Sequence, residues 1–188
     1  MLNLPNLLSS VRLMLVPVLL TLAWLGRSQA FLVCLIASLI TDAADGILAR
    51  RLRQTTEIGA KLDSWADFIT CLALPVCAWW LRPDVIREQA FYLGAGIFFY
   101  LAATVVGFLK FKVLTSYHTW GAKLSALLLA AGALLIFAGG PGWVFRFIIP
   151  IVVLTSIEEI AITIILRELQ SNIPSLWHAL RLRKRAIQ

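Results

Sequence analysis

Asp42-Ala43-Ala44-Asp45-Gly46-Ile47-Leu48-Ala49-Arg50, then eight residues, then Gly59-Ala60-Lys61-Leu62-Asp63-Ser64-Trp65-Ala66-Asp67, is the stretch on which the reading of this chain turns. Its four carboxylates stand between long apolar runs. A carboxylate is costly in an apolar helix, so four together call for a compensating charge. A bound divalent cation supplies that charge most directly. The combination points to an enzyme working on phosphate-bearing substrates at a membrane.

Outward from this stretch the chain is strongly apolar. Of its 188 residues 60% are hydrophobic and 14% charged, and the mean hydropathy is +0.86. Soluble domains carry roughly 25% charged residues, so the composition excludes an ordinary soluble domain. Apolar runs recur at about 11–25, 30–40, 68–81, 90–109, 124–138 and 143–166. A spanning helix needs about 20 residues, so several runs cross only by carrying a polar end into the membrane. The expectation is an all-α polytopic membrane protein, one domain over residues 1–188, with six transmembrane helices around a polar cavity facing the cytoplasm. The first run is flanked by Arg12 and lacks a small-residue cleavage pattern, so it reads as a first spanning helix rather than a signal peptide.

Basic residues set the orientation. With the N-terminus, the segments after helices 2 and 4 and the C-terminus on one side, that side holds thirteen Lys and Arg against four (Arg27, Arg82, Arg87 and Arg146) on the other. Both termini and the aspartates are therefore expected in the cytoplasm. The net charge of +7 suits anionic lipid head groups better than nucleic acid, for which no basic stripe interleaved with aromatics is present. Cys34, Cys71 and Cys77 fall in apolar runs and read as core packing. Residues 1–10 read as a short interfacial helix or cap, 26–29 as a tight outer turn, and 51–58 as a polar cytoplasmic loop. Residues 81–88 form the next outer connection, 110–119 a basic loop, and Gly139-Gly140-Pro141-Gly142 a sharp outer turn. The basic tail after Arg167 reads as an anchor to acidic phospholipid.

The spacing of the aspartates is specific. Asp42 and Asp45, three apart, share one helix face, as do Asp63 and Asp67, four apart. The two pairs mirror each other about Gln54, so two antiparallel helices bring all four to matching depths, roughly 12 Å inside the connecting loop. Hard oxygen ligands in that number suit Mg²⁺, Mn²⁺ or Ca²⁺ rather than zinc. Two such ions could clamp a diphosphate. Gly46 and Gly59 leave room at the same level for a ligand or for helix packing. Arg50 stands at the mouth as a phosphate partner or a flanking charge. The competing structural reading is a salt-bridge network of the aspartates with Arg50, Arg51 and Lys61.

These residues match, position for position, the D-x2-D-G-x2-A-R-x8-G-x3-D-x3-D pattern of the CDP-alcohol phosphotransferase family, which the chain resembles. The opening Pro5-Asn6-Leu7-Leu8-Ser9-Ser10-Val11-Arg12 is similar to the family's P-N-x-x-[ST]-x-x-R start. The resemblance implies that Asp42, Asp45, Asp63 and Asp67 hold two divalent ions, Mg²⁺ or Mn²⁺. It implies Asp67 as the base for the acceptor hydroxyl, and a CDP site built from Pro5, Asn6, Asp42, Gly46, Ala49, Arg50, Thr56 and Gly59. It further implies transfer of a phosphatidyl group from CDP-diacylglycerol to a small alcohol with release of CMP, in a homodimer of the cell inner (cytoplasmic) membrane.

The acceptor is less legible. Lys123, His118 and Glu158 are the candidate contacts. Lys123 reads equally as a rim charge, and Glu158 and its neighbour Glu159 read otherwise as partners of Arg146, Lys110 or Lys123. The run 90–109 has no Arg or Lys, where members using glycerol 3-phosphate often carry an arginine. The alternative within the family is transfer of a phosphoalcohol from a CDP-alcohol to diacylglycerol. An intramembrane prenyltransferase would separate its acidic motifs more widely. A cation carrier would place acids in the outer half, where only Asp84 and Glu88 stand, at a loop.

Overall fold

A computed structural model describes residues 4–52, 57–113, 117, 119–166 and 175–185. Within these, the side chains of 4–9, 43–52, 57–58, 60–61 and 182–185 are outside the description. Every regular element among the described residues is helical: α1 (Leu4–Trp24), α2 (Ser28–Leu52), α3 (Glu57–Leu81), α4 (Pro83–Glu88), α5 (Ala90–Phe111), α6 (Trp120–Phe137), a 3-10 turn (Gly142–Val144), α7 (Phe145–Ile165) and α8 (Leu176–Arg185). The stretches Leu62–Leu81, Ala90–Phe111, Trp120–Phe137 and Gly142–Ile165 are long and apolar enough to cross a membrane. The apolar parts of α1 and α2, Ser10–Trp24 and Ser28–Asp42, are shorter. Those two helices carry their polar residues within the helix itself, as the short runs required. Residues 4–10 are continuous with α1 rather than a separate interfacial helix. The connection at 81–88 is itself mostly the short helix α4, opened by Pro83.

The chain divides into two compact units, residues 1–88 with 133–141, and residues 89–132 with 142–188. In the first, α1 packs against both α2 and α3. Its core includes Val16, Leu19, Phe31, Leu35, Ala66 and Cys77, all buried. Helix α1 ends where Gly26, at φ +67°, lets the Gly26 and Arg27 amides reach back to the Ala23 and Leu22 carbonyls. Helix α6 ends the same way at Gly139, φ +91°, with Gly139 and Gly140 donating to Ile136 and Leu135. Only a glycine takes that left-handed turn without strain. Arg82 braces the second turn. Its Nη1 donates to the carbonyls of Ile136 and Gly140, while Nε and Nη2 fork onto Asp84 at 3.1 and 2.8 Å. Arg82→Ala should cost about 1 kcal/mol through the lost hydrogen bonds, the Ile136 carbonyl keeping the Gly139 amide, read as a lowered melting temperature. The hydrogen bond from Arg82 holds the Asp84 carboxyl below its ordinary range. The pair's support is therefore complete above that range and fades as pH falls through it. With Asp84 more than half exposed, the change should be small, and absent in Arg82→Ala.

In the second unit α5 packs against α7, and the lack of bulk at Gly96 lets the two approach closely there. A Cβ at Gly96 would stand 2.9 Å from Ile149 Cδ1. Helix α6 meets α7 at Gly121, where a Cβ would lie 3.0 Å from Thr155 Oγ1 and 3.3 Å from Glu158 Oε2. Thr155 cannot easily retreat, because its hydroxyl bonds the Ile151 carbonyl and Ser125 Oγ, both at 2.9 Å. Gly121→Leu should therefore destabilise the fold by about 1–3 kcal/mol, measurable by thermal unfolding in detergent. Helix α8 docks on α7 through Ala179, buried in a cluster with Tyr117, Ile162 and Leu166. Trp177 and Arg181 remain exposed, stacked at 5.4 Å.

Candidate metal centre

Helix α2 brings Asp42, and α3 brings Asp63 and Asp67, to one place. One ligand atom from each lies within 4.8 Å of the others. The i, i+4 spacing on α3 puts Asp63 and Asp67 one turn apart on a single face. The packing of α1 against both neighbouring helices places a cation among them. Arg12 Nη1 donates to Asp63 Oδ1 at 3.0 Å and Asp67 Oδ1 at 2.8 Å, and lies 2.8 Å from Asp42 Oδ1. The Arg12 side chain is only 3% exposed, while those of Asp42, Asp63 and Asp67 are 47%, 42% and 57% exposed. One buried charge thus sits beneath three half-exposed carboxylates.

The donor set consists of carboxylate oxygens alone, converging from two helices, and a guanidinium nitrogen already stands at their common point. A hard divalent cation fits that chemistry. The cation among the described carboxylates is Arg12, expected from the sequence as a cytoplasmic flanking charge and as part of the opening pattern. The alternative ion partners, Arg50, Arg51 and Lys61, have side chains outside the described residues. Arg12 was missed because 51 and 55 residues separate it from Asp63 and Asp67. Its place in the opening pattern was the only signal.

Other expected site residues are placed as follows. Asp45, Gly46, Ala49 and Arg50 lie on α2 and Pro5 and Asn6 on the first turn of α1, with side chains outside the description. Thr56 and His118 fall outside the described residues. Gly59 is half-buried in the first turn of α3. Lys123 is exposed near the start of α6, its ammonium 5.5 Å from the Trp120 ring centroid. On α7, Glu158 Oε1 accepts the Leu176 amide at 3.0 Å, at the start of α8. That contact places a carboxylate at the positive end of a helix. Glu159 is half-buried. The cations considered as partners for these glutamates bond elsewhere. Lys110 donates to the Thr163 and Ile164 carbonyls at 2.8 and 3.0 Å, Arg146 donates to Gln89 at 3.0 Å, and Lys123 lies over Trp120.

A family model described as CDP-alcohol phosphatidyltransferase matches residues 2–166. The chain is 38% identical over 90 residues to a CDP-diacylglycerol–glycerol-3-phosphate 3-phosphatidyltransferase of Salmonella choleraesuis (strain SC-B67), covering 42% of this chain and 48% of the relative. It is 30% identical over 101 residues to a provisionally named cardiolipin synthase of Mycobacterium tuberculosis (strain ATCC 25618 / H37Rv), covering 50% and 48%. A third relative, from Pseudomonas fluorescens and named like the first, is 38% identical over 68 residues, 35% of each chain. The chain spans about half, or less, of the length of these relatives. No solved structure is significantly similar to it.

Proposed function

The chain belongs to the CDP-alcohol phosphatidyltransferase family, and from that membership we propose that it makes phospholipid by moving a phosphatidyl group from CDP-diacylglycerol to the hydroxyl of a small alcohol. The observation that carries the proposal is the meeting of Asp42, Asp63 and Asp67 from two helices within 4.8 Å. These, with Asp45, are the residues that would hold two divalent ions. Bound there, Mg²⁺ or Mn²⁺ would neutralise the diphosphate and the charge that develops during transfer.

The chain's own residues divide the rest of the work. Asp67 takes the proton of the acceptor hydroxyl. The acceptor oxygen bonds to the β-phosphorus, the bond from that phosphorus to the bridging oxygen breaks, and CMP leaves with the bridging oxygen. Pro5, Asn6, Ala49, Arg50 and Thr56 contact the CDP moiety, and Gly46 and Gly59 allow it to approach the backbone. Lys123, His118 and Glu158 serve the acceptor. The relatives named for glycerol 3-phosphate put a phosphorylated polyol first among acceptors to test, with exposed Lys123 as its phosphate partner. The working arrangement is a homodimer in the cytoplasmic membrane, each chain spanning six times with its termini and aspartates on the cytoplasmic side.

The test is an acceptor screen with purified protein, CDP-diacylglycerol labelled in its diacylglycerol part, and Mg²⁺ or Mn²⁺. Label should enter one new phospholipid as an equal amount of CMP forms. Label that stays in CDP-diacylglycerol with every acceptor, while a CDP-alcohol and diacylglycerol do react, would reverse the direction of transfer proposed.

A further inference from the structure

Three ligand oxygens, one each from Asp42, Asp63 and Asp67, converge on a single nitrogen, Arg12 Nη1, at 2.8, 3.0 and 2.8 Å. A divalent ion such as Mg²⁺ would take up the same trio of carboxylate oxygens. Two cations cannot share it. Near a protein surface like charges this close repel strongly, and a doubly charged ion more so than a single charge. The Arg12 side chain is almost wholly enclosed. Its guanidinium is therefore held by the helix packing of α1 and does not reach the carboxylates as a stray surface contact.

We infer that Arg12 is a built-in counter-ion that competes with the divalent ion for the aspartate oxygens. It holds the three carboxylates together against their mutual repulsion and has to give them up for the ion to bind. This rests on the reading of the aspartates as metal ligands and adds a residue that reading does not contain. The observed affinity is then the intrinsic affinity reduced by the fraction of molecules in which Arg12 has withdrawn. A residue that merely stabilised the fold, or helped to orient the ligands, would weaken ion binding when removed. A competitor strengthens it.

The measurement is Mn²⁺ binding to the full-length protein in detergent or nanodiscs, read from the electron paramagnetic resonance signal of free Mn²⁺. Arg12→Gln should bind Mn²⁺ about tenfold or more tightly than wild type, whereas Arg12→Lys, which keeps the charge, should stay near wild type. Equal or weaker binding by Arg12→Gln would overturn the inference, the ion then using the other carboxylate oxygens or needing Arg12 for its site. Asp63→Asn separates this from the underlying reading. If Asp63→Asn binds as wild type does, the aspartates are not the ligands and both ideas fall. If it loses the site while Arg12→Gln gains nothing, only the inference falls. A second measurement needs no change at the site. Titrating the wild-type protein with diamagnetic Mg²⁺ should move the Arg12 Nε resonance, assigned by its loss in Arg12→Lys, over the concentrations that displace Mn²⁺. A resonance that stays put through saturation would also overturn the inference.

Discussion

Asp67→Asn is expected to lower CMP release by about 10²–10⁴-fold while leaving the protein folded. The asparagine keeps the size of the side chain and an oxygen able to accept from Arg12, so the contact now 2.8 Å long can persist. Arg12 also keeps Asp42 and Asp63 as ionic partners. The stability cost should then be close to that of one partly exposed ion pair, about 1 kcal/mol or less. What is lost is the negative charge, and with it both a basic oxygen for the acceptor proton and a strong ligand. Asp63→Asn is the informative companion. It removes a ligand but not the proposed base, so excess Mn²⁺ should recover part of its rate, whereas the Asp67→Asn rate should stay low at every Mn²⁺ concentration. Turnover by Asp67→Asn within about tenfold of wild type would rule out the carboxylate as the base.

The acidic centre was legible because its information is local. The four-residue spacing on α3 puts Asp63 and Asp67 on one face, and Asp42 of α2, near in sequence, joins them. The helical character was legible for the same reason, since long apolar runs with glycine and proline punctuation leave a membrane chain few alternatives. What the pattern could not convey is how helices far apart in sequence pack. The position of α1 against both α2 and α3 turns Arg12 from a flanking charge into the centre of the carboxylate cluster. Likewise, Glu158 at the start of α8 and Lys110 on the last carbonyls of α7 are contacts across 18 and 53 or more residues. Charge counting alone offered the glutamates three cationic partners. Each of those cations instead meets a carbonyl, a side-chain amide or a ring, and for Lys110 the reason is that unpaired carbonyls at the end of α7 compete well for a donor.

Removing divalent ions should abolish turnover, and returning Mg²⁺ or Mn²⁺ should restore it. The ions should also stabilise the folded protein. Three half-exposed carboxylates crowded within 4.8 Å carry three negative charges against the single positive charge of Arg12, so a doubly charged ion that takes its place neutralises more of them. A ligand present at about 100 times its dissociation constant stabilises the folded state by about 2.7 kcal/mol, several degrees in melting temperature for a chain of this size. The shift should vanish in Asp63→Asn and Asp67→Asn, because each removes one of the converging oxygens' charges. It should grow in Arg12→Gln, where the carboxylates lose their internal cation and depend on the added one. A melting temperature that rises equally in all four proteins would place the stabilising ion elsewhere, for instance on lipid or detergent.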